Sequence, residues 1–133
     1  MKVLVTGGAG YIGAHIVLDL INADHEVVIL DDMSRGAEEN IHTQAQFILG
    51  STLDENKVKE VLSGGVEAVV HLAAFKAAGE SMIDPEKYST NNISGTLCLL
   101  NAMAATEVKT IVFSSTAAVY GYPEYLPMDE DHP

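Results

Sequence analysis

Five short apolar runs recur along the chain, each separated from the next by a capped, amphipathic or polar stretch: KVLVT (2–6), EVVIL (26–30), AQFIL (45–49), EAVVHL (67–72) and TIVFSS (110–115). β-Branched residues dominate them, and their length is that of strands. Their apolar character is nearly continuous rather than alternating, the mark of strands covered on both faces, as in a parallel sheet. Residues 11–23, 54–63 and 85–106 read as helices, the last with Ile93, Leu97, Leu100 and Ala104 along one face. Asp84-Pro85 supplies a capping side chain followed by proline at the first helical position. The polar connection 31–44 reads mostly as loop. Strand and helix in alternation define an α/β fold, and right-handed crossovers leave few topologies. The expected architecture is a doubly wound parallel sheet in the order 3-2-1-4-5.

A chain of 133 residues accommodates one domain with a real core and leaves no room for two. No apolar run approaches the roughly 20 residues of a membrane span, so no membrane partner is expected. The opening MKVLVTGG turns glycine-rich too soon for a secretory leader, which makes the cytoplasm the expected location. Cys98 is the single cysteine, so no disulfide framework is expected, and among Leu97, Leu99 and Leu100 it reads as inert core packing rather than a nucleophile. The five histidines show no paired ligand spacing, and no metal site is expected. A net charge of −12 repels polyanions and argues against nucleic acid as a partner. It leaves open a small phosphate-bearing ligand held by backbone N–H groups at a helix start.

The turn that would hold such a ligand follows the first apolar run. TGGAGYIG (6–13) contains both Gly8-x-Gly10-x-x-Gly13 and Gly7-x-x-Gly10-x-x-Gly13. Glycine there lets the backbone turn tightly and approach a pyrophosphate, and Gly13 lets helix and sheet pack closely. A strand before and a helix after give the pattern the context that dinucleotide binding requires. The second run ends in ILDD, where a carboxylate accepts the hydroxyls of an adenosine ribose and repels a 2′-phosphate. Asp31 therefore argues for NAD over NADP. Asp32 reads as its solvated neighbour and Arg35 as a loop charge, since a 2′-phosphate on Arg35 would have to overcome Asp31.

TGGAGYIG, LDDMSRG, HLAAFKAAGES, YSTNNISGT and FSSTAAVYG stand in order along the sequence. With them the chain resembles the extended short-chain dehydrogenase/reductase family in its nucleotide-sugar epimerase form, over essentially its whole length. The resemblance implies a Rossmann-type NAD-binding domain spanning 1–133, incomplete and without the substrate domain that would follow. It implies that Gly7, Gly10, Tyr11, Ile12 and Gly13 hold the pyrophosphate end. Asp31, Asp32, Met33, Ser34, Arg35 and Gly36 would border the adenosine. Leu72, Ala73, Ala74, Phe75 and Lys76 would pass the middle of the cofactor, Asn91 would donate to it, and Ser114 would touch it. A UDP-sugar would meet Lys76, Ala77, Ala78 and Thr116. Two positions depart from the family pattern. Ser51 and Thr52 stand where an Asp usually approaches the adenine amino group, and Thr116 stands where Ser is frequent; each keeps a hydroxyl acceptor.

The activity implied is interconversion of UDP-glucose and UDP-galactose through transient oxidation at C4. Thr116 would orient the reacting oxygen beside a Tyr-x-x-x-Lys pair whose Lys lowers the Tyr pKa. Tyr11, Tyr88, Tyr120, Tyr122 and Tyr125 are followed at that spacing by His15, Asn92, Glu124, Leu126 and Asp129, so none supplies the pair. The expectation is a chain cut short before its catalytic Tyr and inactive alone, with a fifth strand whose open edge would invite self-association or instability; a homodimer is the expected assembly. Dehydratases would carry an acidic pair where Ala117 and Ala118 stand. Another NAD-dependent nucleotide-sugar modifier (reductase, dehydratase or UDP-glucuronate-type epimerase) and a noncatalytic nucleotide-binding module remain as alternatives.

Overall fold

The computed structural model describes residues 1–133, the side chain of Ala117 excepted. Strands β1 (Lys2–Thr6), β2 (Glu26–Asp31), β3 (Gln46–Leu49), β4 (Ala68–His71) and β5 (Thr110–Phe113) form one sheet. Its order is β3-β2-β1-β4-β5, the order expected from the sequence. Every pairing is parallel, with Val3 opposite both Val27 and Ala68 and His71 opposite Phe113.

Because helices cover both faces, successive residues of β1 feed opposite cores. Val3 and Val5 pack with Val17 of α1 (Tyr11–Asn22), Val27 and Ile29 on one side. Leu4, Val28, Leu30 and Val69 pack on the other with Val58 and Leu62 of α2 (Glu55–Leu62) and Leu99 of α5 (Gly95–Ala105). Neither strand face is free to be polar, which is why the runs do not alternate.

The helix starts follow their capping residues. Asp54 accepts from the Lys57 amide at the start of α2, and Asp84 accepts from the Lys87 amide at the start of α4 (Pro85–Ser89). Two elements differ from expectation. A short helix, α3 (Ala78–Ile83), forms in a stretch for which the sequence predicts no element. The stretch 85–106 is not one regular helix but α4, a π-helical turn over Thr90–Ser94, and α5.

The face expected to be buried is the exposed one. Ile93, Leu97 and Leu100 stand 61%, 56% and 42% exposed, and Ala104 is exposed too, while Leu99, Ala102 and Met103 fill the core. The π turn shifts the helical phase between Ile93 and α5, and GTLCLLNAMAA is apolar on nearly every side, so periodicity cannot choose a face. Gly95 lies on the buried face: a Cβ there would stand 2.6 Å from Thr52 Oγ1, so the glycine lets this edge of the helix approach the loop before α2.

β5 pairs with β4 alone among the described residues, and its Val112 and Phe113 are 61% and 55% exposed. No helix among them is long and apolar enough to cross a membrane.

The tightest contact in the fold is at the start of α1. A Cβ on Gly13 would lie 2.2 Å from the Gly7 carbonyl oxygen and 2.7 Å from Gly8 Cα. Gly13→Ala is expected to cost about 2 kcal/mol by overpacking and to lower the melting temperature by about 8 °C. Gly79→Ala, where a Cβ meets nothing within 4 Å, is expected to leave the melt unchanged or slightly raised. Paired thermal melts compare the two, and equal melts would show that the helix-to-turn contact is not what fixes this corner.

Candidate nucleotide-binding site

The glycine turn is shaped from two sides. Gly7 leaves β1 at a φ of +74°, and a Cβ there would stand 2.9 Å from the Ala73 amide nitrogen, so only glycine lets the turn and the loop after β4 lie together. Its N–H donates to Leu30 O at 2.9 Å, and the Gly10 N–H donates to Gly7 O at 3.1 Å. Gly10 caps α1 with extended backbone and no side-chain hydrogen bond. The open amides of the first helical turn therefore keep their donor capacity for an anion.

Asp31 ends β2 buried, at 7% exposure. Its Oδ2 accepts from the Ala9 N–H at 3.0 Å and its Oδ1 from the Met33 N–H at 2.9 Å. Two backbone donors compensate the buried charge, and each oxygen retains a lone pair for a further hydroxyl. The Ala9 carbonyl is held in turn by the Ala37 N–H at 3.1 Å and by Asn40 Nδ2 at 2.9 Å. Met33 adopts a left-handed φ of 60°, and Asp32 accepts from the Ser34 N–H at 2.9 Å. These turns fold the loop after β2 toward the glycines.

The loop after β4 is positioned from below and from the side. His71 Nδ1 lies 2.7 Å from Thr6 Oγ1, and its Nε2 lies 3.1 Å from Thr96 Oγ1. Thr96 donates to Asn92 O at 2.6 Å, so it accepts from His71 Nε2–H, which leaves Nδ1 to accept from the Thr6 hydroxyl. The Thr6 oxygen then receives the N–H groups of Leu72 and Ala73 at 3.3 and 3.4 Å. One neutral tautomer satisfies every partner. From the side, Asn92 grips the Phe75 peptide, accepting its N–H and donating to its carbonyl, both at 2.9 Å.

The resulting cleft, about 570 Å³ with its mouth included, opens at the carboxyl ends of β1, β2 and β4. Gly7, Gly10, Asp31, Asp32, Ser34, Arg35 and Gly36 line one part of it, and Ser51, Thr52, Leu72, Ala73, Ala74, Phe75 and Asn91 line the rest. Two further lining residues, Leu30 and Gly50, are not among the expected site residues. Each sits at the end of a strand beside an expected one, Asp31 or Ser51, and strand-end position is the signal that marks them.

Other expected residues stand apart from this lining. Gly13 is buried behind the turn, Met33 contributes through its N–H, and Tyr11 and Ile12 point outward in the first turn of α1, 77% and 51% exposed. Lys76, Ala77 and Ala78 are exposed where the chain enters α3. Ser114 is exposed past β5, its N–H donating to His71 O at 3.2 Å, and the exposed Thr116 accepts from the Ala118 N–H at 3.1 Å.

A parallel sheet that gathers a glycine turn, a helix start and a buried carboxylate at its switch point is a nucleotide-binding fold of the Rossmann class. The chain belongs to the NAD dependent epimerase/dehydratase family, whose model matches residues 3–133. It is 44% identical over 134 residues to the UDP-glucose 4-epimerase of Streptomyces lividans, the match covering 99% of this chain and 41% of that one. A UDP-glucose 4-epimerase of Klebsiella pneumoniae is 44% identical over 138 residues, covering 98% of this chain and 99% of that one. Among solved structures, UDP-glucose 4-epimerase from Bifidobacterium longum in complex with NAD+ and UDP superposes with a TM-score of 0.89 at 36% identity, over 100% of this chain and 42% of that one.

Burial holds the His71 ring below its ordinary pKa of 6.5. A depressed value means that the unfolded chain takes up the proton first. The stability His71 contributes is thus complete above about 6.5 and is lost as pH falls below it through the folded value. Ring-proton NMR is expected to show His71 titrating below 6.5. Titration at or above that value would contradict the neutral bridge between Thr6 and Thr96.

Proposed function

We propose that residues 1–133 are the NAD-binding domain of a nucleotide-sugar epimerase that interconverts UDP-glucose and UDP-galactose, the substrate domain lying outside these residues. The observation that carries the reading is the single cleft in which the glycine turn, Asp31 and the loop after β4 converge. The chain spans 41% of the length of the Streptomyces lividans relative and 99% of the Klebsiella pneumoniae one.

The residues present fit a dinucleotide. Gly7 and Gly10 let the turn close tightly, and the start of α1, which no side chain caps, leaves its backbone amides open to a pyrophosphate; Tyr11, Ile12 and Gly13 shape that turn. Asp31 accepts the ribose hydroxyls through the lone pairs its backbone partners leave. Asp32, Met33, Ser34, Arg35 and Gly36 border the adenosine, and Ser51 and Thr52 offer hydroxyls to its amino group. Leu72, Ala73, Ala74 and Phe75 form an apolar wall along the middle of the ligand, with Asn91 as donor and Lys76 and Ser114 at the far end. When bound, NAD supplies a reversible two-electron acceptor for the C4 position of the sugar. Lys76, Ala77 and Ala78 flank the UDP-sugar, and the Thr116 hydroxyl orients its reacting oxygen.

Calorimetric titration of the chain with NAD and with NADP tests the cofactor site. NAD is expected to bind more tightly, and Asp31→Ala is expected to remove that preference along with about 2 kcal/mol or more of NAD affinity, since the charged hydrogen bonds go with it. Equal binding of both nucleotides, or of neither, would refute the reading.

The catalytic step is expected to need more than these residues, because no Tyr among them has Lys four positions on. Residues 1–133 with NAD are expected to show no interconversion of UDP-glucose and UDP-galactose in a coupled assay. Turnover would mean that another group in this chain serves as the base.

A further inference from the structure

Arg35 is the one cation among the described residues that line the cleft. It lies four residues past Asp31, where an arginine in this fold accommodates the 2′-phosphate that distinguishes NADP from NAD. Its guanidinium is already committed: Nη2 donates to Glu80 Oε2 at 2.9 Å, across 45 residues of sequence.

Glu80 is a fixed acceptor. It sits in the first turn of α3, outside the cleft lining, and receives Lys87 Nζ on Oε1 and the Tyr88 hydroxyl on Oε2, the latter at 2.8 Å. Lys87 and Tyr88 belong to α4, and both touch Phe75 of the cleft wall, Lys87 Nζ lying 4.8 Å from its ring centroid and the Tyr88 ring 5.6 Å. The hydrogen bonds from Lys87 and Tyr88 hold the Glu80 carboxyl below the usual carboxylate range, so it stays charged at neutral pH. An isolated exposed ion pair restrains an arginine weakly. Here the acceptor is immobilised by two other donors, so Arg35 alone has freedom to lose in pairing with it.

We propose that Glu80 is a specificity-determining residue that withholds Arg35 from a 2′-phosphate and so reinforces the preference for NAD; this rests on the cofactor reading above. Asp31 disfavours the phosphate by repulsion at the ribose, and Glu80 does so by occupying the cation that would welcome it. The two carboxylates act on the same ligand group, Asp31 from the end of β2 and Glu80 from α3 through Arg35.

The test is calorimetric titration of NAD and NADP, at one low salt concentration, into the wild-type chain and the variants Glu80→Gln, Arg35→Ala and the double variant. Glu80→Gln keeps the shape of the side chain and removes its charge. It is expected to tighten NADP binding about fivefold, the size of one exposed ion pair, while NAD affinity stays within about twofold. In the double variant the gain is expected to vanish, because it acts through Arg35. A Glu80 that merely braces α3 against α4 would weaken both nucleotides alike when altered, and that result overturns the proposal, as does a gain that survives removal of Arg35. Thermal melts accompany each variant. Should Glu80→Gln fail to fold, Glu80→Asp keeps the charge but shortens its reach to Arg35 and is expected to move the NADP:NAD ratio the same way. Wild-type chain that binds neither nucleotide would refute the cofactor reading itself and this inference with it. Binding with an unmoved ratio would refute the inference alone.

Discussion

The site depends on where the Asp31 carboxylate puts its two oxygens. One accepts the Ala9 N–H inside the glycine turn and the other accepts the Met33 N–H in the next loop. A single buried side chain thus joins the ends of β1 and β2, and its burial makes those bonds obligatory, because an uncompensated charge at that depth would be costly. The Ala9 carbonyl repeats the tie from its other side through Ala37 and Asn40. The proposed ligand therefore meets a turn whose shape is fixed before it arrives, which reduces the ordering cost of binding.

The opposite wall is built by a different device with the same result. Thr6, His71 and Thr96 form a chain of hydrogen bonds from β1 through β4 to α5, and its upper end presents the Thr6 oxygen to the amides of Leu72 and Ala73. Asn92 then fixes Phe75 by gripping both sides of its peptide. The π-helical turn over Thr90–Ser94 is where Asn91 and Asn92 sit. Its wider backbone places one of these asparagines on the loop and the other in the cleft lining, an arrangement in keeping with the frequent occurrence of π turns at functional sites.

Much of this site was legible in the residues. Asp31 and the glycines were readable because their roles come from local backbone geometry: a strand end, a tight turn and a helix start within a few residues. The loop after β4 was readable through its resemblance to a family pattern. Glu80, Asn92 and Thr6 were not, because each acts on a partner far along the chain, and no spacing rule connects them. The buried face of α5 is not legible in the sequence for a related reason. A helix apolar all round carries no preferred direction, and the close contact on its buried face, Gly95 against Thr52, joins two elements remote in sequence.

The sequence by itself determined the parallel sheet and its strand order and pointed to a cleft at the carboxyl ends of the strands, since β-branched runs, right-handed crossovers and glycine turns act over short distances. The tertiary structure alone decided which face of α5 is buried, which tautomer His71 holds, and that Arg35 is turned onto Glu80 rather than left free at the cleft. Those outcomes depend on which surfaces meet once the chain has folded, and the choice between otherwise equivalent local conformations is made by packing and by pairing charges and hydrogen-bond donors across long stretches of chain.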